Sequence, residues 1–168
     1  MSNSALVFSK MSGTGNDFIV IDNTKGAYDL DWSSFAKRYC ERRVSVGADG
    51  VLVLEPHATC DFNYRIFNAD GSEAEMCGNG ARCAARFAFE HGIAKAQMNF
   101  MTLAGVIEAR IEAEDVAVKM TKPKNMRLDI ATELNSQPVT VHFADTGVPH
   151  AIVFVDNIDN YDVEANGR

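Results

Sequence analysis

The chain has 168 residues, 46% of them hydrophobic and 23% charged, with 16 basic against 23 acidic residues and a formal net charge of −7. These proportions belong to a globular protein and exclude the disordered, collagen-like and membrane classes. An acidic balance without a Lys/Arg run lacks the electrostatic footprint of a nucleic-acid or anionic-membrane binder, so neither partner is expected.

A domain of this length buries roughly 70% of the surface its unfolded chain exposes, enough for a core without staples or structural metal. Apolar runs such as 151–155 fall far short of the roughly 20 residues a spanning helix needs. The first ten residues lack the charged region and apolar core of a secretory signal. A cytoplasmic location is therefore expected, with Cys40, Cys60, Cys77 and Cys83 present as thiols.

Short alternating apolar runs bounded by Gly, Pro, Asn and Asp predict strands over 6–9, 18–22, 51–55, 62–68, 98–103, 106–111, 116–121, 139–144 and 151–156. The region 102–122 reads as a meander with antiparallel neighbours, because its connections are short. Two segments predict helices. In 31–43, Trp32, Phe35, Ala36, Tyr39 and Cys40 form one apolar stripe behind a candidate N-cap at Asp31. In 78–91, apolar residues from Ala81 to Phe89 leave little of the circumference polar, which predicts a buried helix. Many strands and one buried helix imply an α+β domain: a mixed, mostly antiparallel sheet or barrel wrapped around that helix.

The stretch 68–83 (NADGSEAEMCGNGARC) places Cys77 at a helix entrance. There the free N–H groups of Gly78 and Asn79 and the positive end of the helix dipole favour an anion, either a cysteine thiolate or a substrate carboxylate. Glycines at 78 and 80 allow a ligand to approach the backbone. Equally, Cys77 reads as a small N-cap residue and the glycines as components of a tight turn. Cys83 and Cys40 lie on apolar faces and read as core, whereas Cys60 is uninformative.

No zinc-type Cys or His spacing occurs. Residues 13–18 (GTGNDF) begin like a dinucleotide loop, but Phe18 replaces the third glycine and a strand follows, so the nucleotide reading fails. What remains is a turn presenting Asn16, either to a polar ligand or to its own backbone. Asn68 suits the loop ahead of Cys77. His150, after Pro149, alone reads more readily as a hydrogen-bonded structural histidine.

Together, 10–18 (KMSGTGNDF), 65–73 (RIFNADGSE) and 77–83 (CGNGARC), with 46–50 (VGADG) and 147–150 (GVPH) falling in the same chain order, closely resemble the diaminopimelate epimerase family. The resemblance covers essentially the whole chain. It implies a cofactor-independent and metal-independent isomerase that interconverts LL- and meso-2,6-diaminopimelate in lysine and peptidoglycan precursor synthesis. One cysteine thiolate removes the α-proton and a second cysteine returns a proton to the opposite face. On this pattern Cys77 is catalytic, the N–H groups of Gly78 and Asn79 hold the carboxylate, Asn16 and Asn68 contact substrate, and His150 stands near the partner cysteine. Many family members carry Met-His-Gly at 11–13, and some carry Gln at Gly50 and Asn at Val148; the last two departures remove side-chain contacts that the resemblance would allow.

The resemblance also implies two halves, each a sheet around a helix, with substrate between them. It places an N-terminal epimerase domain over 1–156 and the start of the interdomain connection over 157–168. The C-terminal half, which carries the second cysteine, is absent from the chain. The expected partners are diaminopimelate and that missing half, with room for a homodimer, and the isolated half is expected to be inactive. The competing readings are a non-catalytic binding module that retains the fold, and a proline racemase-like or phenazine-biosynthesis-like isomerase.

Overall fold

A computed structural model of the chain describes residues 5–120, 122–146 and 148–167, which divide between Lys119 and Met120 into two compact units. Thr121, the last residue of the strand predicted over 116–121, and Gly147 of the 147–150 motif lie outside the described residues.

The first unit is built on β1 (Ser9–Gly13), β2 (Asn16–Asp22), β3 (Gly50–Glu55), β4 (Phe62–Asn68), β5 (Glu73–Ala74), β6 (Gln97–Thr102), β7 (Gly105–Glu112) and β8 (Asp115–Lys119), with helices α1 (Trp32–Tyr39) and α2 (Gly78–Glu90). The sheet order is β1-β2-β3-β4-β6-β7-β8, with β5 paired to β4. Two pairs, β2 with β3 and β4 with β6, are parallel, and the remainder are antiparallel. The sheet curls so that α2 touches β1, β2, β3, β4, β7 and β8. This is the expected α+β sheet around a buried helix, and within the predicted meander β6, β7 and β8 pair antiparallel as expected, up to Lys119.

Period-two alternation explains the two layers. Phe18, Val20, Leu52, Leu54, Tyr64 and Ile66 face α2. The intervening Ile19, Ile21, Val51, Val53 and Phe67 face the opposite way, onto Trp32, Ala36 and Cys40 of the α1 segment. Strands covered on both faces are apolar at nearly every position, as β3 is. Phe62 stacks on Phe100 at 4.8 Å in this core, where full burial of such a side chain contributes about 2 kcal/mol.

The N-cap at Asp31 forms as expected, its carboxylate accepting the Ser33 and Ser34 N–H groups. The helix is shorter than predicted. Gly47 N–H and Ala48 N–H take the carbonyls of Tyr39 and Cys40, and Arg43 turns to φ 70°, so 41–43 leave the helix to lead the chain into β3. The first strand is also shifted from the predicted 6–9 to Ser9–Gly13. It pairs with β2 through a two-residue turn in which Thr14 and Gly15 both have positive φ, 56° and 82°, the hairpin geometry that follows sheet twist.

The second unit is an antiparallel sheet of order β11-β10-β9, from β9 (Lys124–Leu134), β10 (Gln137–Asp145) and β11 (Pro149–Ile152), followed by a 3₁₀ turn at Ile158–Asn160 and the four-residue helix α3 (Val163–Asn166). The sequence reading missed β9, whose residues are almost all exposed and so lack a one-sided burial signal. Its link to β10 is an Asn135-Ser136 turn with φ 51° and 62°, without the Gly that usually marks such a turn. The strand predicted over 151–156 starts earlier and stops at Ile152.

Candidate active site

The β1–β2 turn, the start of β3 and the first turn of α2 meet at one end of the first sheet. Cys77 is the N-cap of α2, with extended backbone (φ −136°, ψ 123°), and its Sγ accepts the Gly80 N–H at 3.5 Å. On its other side the Cys77 thiol donates to Asn16 Oδ1 at 3.7 Å. Helix geometry leaves the N–H groups of Gly78 and Asn79 without intrahelical acceptors, so an acceptor presented at this end of α2 meets two free donors.

Asn16 is itself held. Its Nδ2 donates to Asp49 Oδ2 at 2.7 Å. Asp49 also accepts from the Asp17 N–H at 3.1 Å and from Arg42 Nη2 at 2.8 Å. Arg42 spans both acids, reaching Asp17 Oδ1 at 2.5 Å and Oδ2 at 3.2 Å, while Lys10 Nζ binds Asp17 Oδ2 at 2.6 Å. The Arg42 guanidinium holds the Asp17 carboxyl well below the usual carboxylate range, and the Asn16 amide with Arg42 lowers Asp49. Both acids are therefore fixed acceptors at neutral pH.

The other expected residues are placed less uniformly. Asn79 accepts a short hydrogen bond from Arg82, which also reaches Thr14 Oγ1 at 3.3 Å, tying the first turn of α2 to the β1–β2 turn. Asn68 pairs with Gly50, which pairs with Phe18, so register brings it to the same sheet end. Its Nδ2 binds Ser72 Oγ at 2.9 Å within a tight 68–72 loop, the turn chemistry weighed for it above. His150 belongs to β11 of the second unit, where its Nδ1 lies 2.7 Å from the Val148 carbonyl.

Cys83 and Cys40 are buried in the two core layers, as expected. Burial pushes the Cys40 thiol up to about 11 and raises Cys83. Gly80 is explained differently from the reading above. A Cβ there would lie 2.5 Å from the Tyr64 hydroxyl, on the core side, so its bare backbone makes room for Tyr64 rather than for a ligand. A cleft of about 500 Å³ opens beside the site, lined by Ser12, Gly13, Thr14, Arg82 and Cys83 among others. A second concavity, of about 630 Å³, is lined from β6 to β8, and neither lining includes Asn16 or Cys77.

Sequence reasoning assigned no role to Asp17, Arg42, Asp49 or Tyr64. Asp49 stood inside the quoted 46–50 motif and Asp17 next to Asn16, which are the only signals that pointed to them. Arg42 carried none, since its partners lie 25 and 7 residues away.

The backbone defines a class first. A curled mixed sheet around a central helix is shared with a phenazine biosynthesis protein of the PhzF family from Bacillus anthracis (TM-score 0.67, 17% identity, 92% of this chain and 56% of that one). It is shared also with a hydroxyproline epimerase from Agrobacterium vitis (TM-score 0.66, 16% identity, 96% of this chain and 52% of that one). At such identities the likeness is one of fold.

Sequence supplies the narrower assignment. The profile described as diaminopimelate epimerase matches residues 8–126. The diaminopimelate epimerase of Nitratiruptor sp. is 46% identical over 159 residues, 95% of this chain and 61% of that protein. That of Hydrogenobaculum sp. is 43% identical over 175 residues, covering 97% and 63%. The chain belongs to the diaminopimelate epimerase family. It spans about three fifths of the length of these relatives.

Proposed function

We propose that this chain supplies one of the two acid/base cysteines of a cytoplasmic, cofactor-independent epimerase acting on 2,6-diaminopimelate. The supporting observation is Cys77 at the N-terminus of α2, its sulfur between the Gly80 N–H and the Asn16 carbonyl oxygen, in a chain of this family. The Cys77 thiolate takes the α-hydrogen as a proton, forming S–H and leaving the C–H electron pair on Cα. A thiol from a second cysteine, outside these residues, delivers its proton to the opposite face, closing the new C–H bond and becoming a thiolate. The reverse direction exchanges the two roles.

An amino-acid α-proton is very weakly acidic, so the developing charge on the carboxylate needs fixed donors. The N–H groups of Gly78 and Asn79 are assigned to it, and preorganised donors of this kind contribute about 3 kcal/mol each in comparable oxyanion sites. Asn16 and Asn68 are assigned to the substrate's polar groups, and His150 to the neighbourhood of the second cysteine. Residues 1–156 are assigned to the N-terminal domain and 157–168 to the start of the interdomain connection. Alone, the 168 residues are inactive because proton return has no donor.

The test is deuterium incorporation at Cα of LL- and meso-diaminopimelate in D₂O. It compares the chain alone with the chain joined to the remaining part of the Nitratiruptor protein. Inversion is expected only in the joined protein, and Cys77→Ser lowers it by roughly 10³-fold, as loss of a general acid/base does. Substantial turnover by Cys77→Ser overturns the two-cysteine assignment, and preferential exchange on proline overturns the substrate.

A further inference from the structure

The two hydrogen bonds on the Cys77 sulfur have opposite effects. Gly80 N–H donates to sulfur and favours the thiolate; Asn16 Oδ1 accepts from S–H and favours the thiol. A group that must take up a proton in one direction and release it in the other needs both forms within reach.

Nothing in Asn16 itself decides which end of its amide meets Cys77, because rotating the amide by half a turn exchanges an acceptor for a donor. Asp49 decides it. An ionised carboxylate only accepts, so the amide nitrogen must face Asp49 Oδ2, 2.7 Å away, and the oxygen is left for Cys77. Asp49 is fixed in turn by the Asp17 N–H and by Arg42, which also clasps Asp17.

We propose that Asp49 is a positioning residue for Cys77: by holding the Asn16 amide nitrogen it keeps the amide oxygen on the thiol and so stabilises the protonated sulfur against the pull of the α2 N-terminus. The assignment deepens the acid/base reading of Cys77 and takes its significance from it. Tyr64 of β4 and Cys83 of α2 also interact with Cys77. Burial raises the pKa of both, and the charges grouped around Asn16 are Asp49, Asp17, Arg42 and Lys10.

The experiment is site-resolved alkylation of Cys77 by iodoacetamide in the 168-residue chain, followed by peptide mass spectrometry across about pH 6 to about pH 10. Asp49→Ala is expected to speed alkylation about threefold at pH 7, the effect of a hydrogen bond at the lower end of the usual net range, with the same rate on the high-pH plateau. Asn16→Ala should do the same, and Asp49→Ala should add nothing in the Asn16→Ala background.

An unchanged rate in Asp49→Ala overturns the proposal. So does an equal acceleration in the Asn16→Ala background, which marks simple loss of a negative charge, or a raised plateau, which marks access. Should Asp49→Ala fail to fold, Asn16→Ala alone must still accelerate Cys77 at pH 7, and an unchanged rate there is equally fatal. None of these readouts requires turnover. A failed isotope exchange in the joined protein removes the reaction and leaves the positioning role, and a failed alkylation cycle does the reverse.

Discussion

The Tyr64 hydroxyl sits 2.5 Å from where a Cβ on Gly80 would be, beneath the first turn of α2, and it is buried with no well-formed hydrogen bond among the described residues, the Cys77 backbone being its nearest polar neighbour. Burial raises its ionisation well above the ordinary phenol value, so it remains neutral. Helix propensity favours Ala over Gly by roughly 0.5–1 kcal/mol, but contact reverses the sign here. Gly80→Ala should destabilise the chain by about 1–3 kcal/mol, the usual cost of overpacking. Tyr64→Phe, which removes a buried oxygen without a well-formed hydrogen bond, should be neutral or stabilising. In the Tyr64→Phe background Gly80→Ala should lose most of its cost. Urea unfolding of the four proteins measures the coupling, and strictly additive costs contradict it.

Acid should weaken the network around Asn16 over a low pH range. Arg42 depresses Asp17, and the Asn16 amide depresses Asp49. A carboxyl whose folded value is lowered contributes stability above its unfolded value, near about 4. That contribution is lost as pH falls towards the folded value. Below about pH 4 the chain should therefore lose stability more steeply than Asp17→Asn, which has no such proton to bind. Unfolding midpoints of the two proteins measured between pH 7 and about pH 2 should converge as pH falls; parallel curves would show that Asp17 is not depressed by its pairing.

The four thiols should separate by burial. Cys40 and Cys83 are buried, with Cys40 pushed up to about 11, while Cys60 and Cys77 are half-exposed. At about pH 8, near the ordinary thiol range, iodoacetamide should label Cys60 and Cys77 in the native chain. Cys40 and Cys83 should react only after denaturation. Labelling of Cys83 ahead of Cys77 would mean that the cleft beside Arg82 opens further than the structure shows.

Local periodicity made much of this molecule legible. The buried α2 helix was visible in the run of apolar residues around it, and Cys77 at its entrance in the Gly-rich step before them. The double-sided core strands were visible as short apolar runs. The family was visible in motifs, since 77–83 and 65–73 hold their residues at fixed short spacing. Strand β9 was not legible, because nearly all its residues face outward and its turn lacks glycine. The end of α1 was missed because its last carbonyls are claimed by Gly47 and Ala48 from beyond the helix.

What the sequence determined alone is the set of chemical groups: a thiol before a helix, donors in its first turn, and amides on two loops. The tertiary structure decided how they face one another. Asn16 meets Cys77 across 61 residues and Asp49 across 33, and Tyr64 of β4 reaches Gly80 of α2. Such contacts arise from register between β2, β3 and β4 and from the sheet's curl onto α2. Hydrogen bonds are directional and short-ranged, so an amide's useful end is defined only after the sheet has placed a carboxylate on its other side.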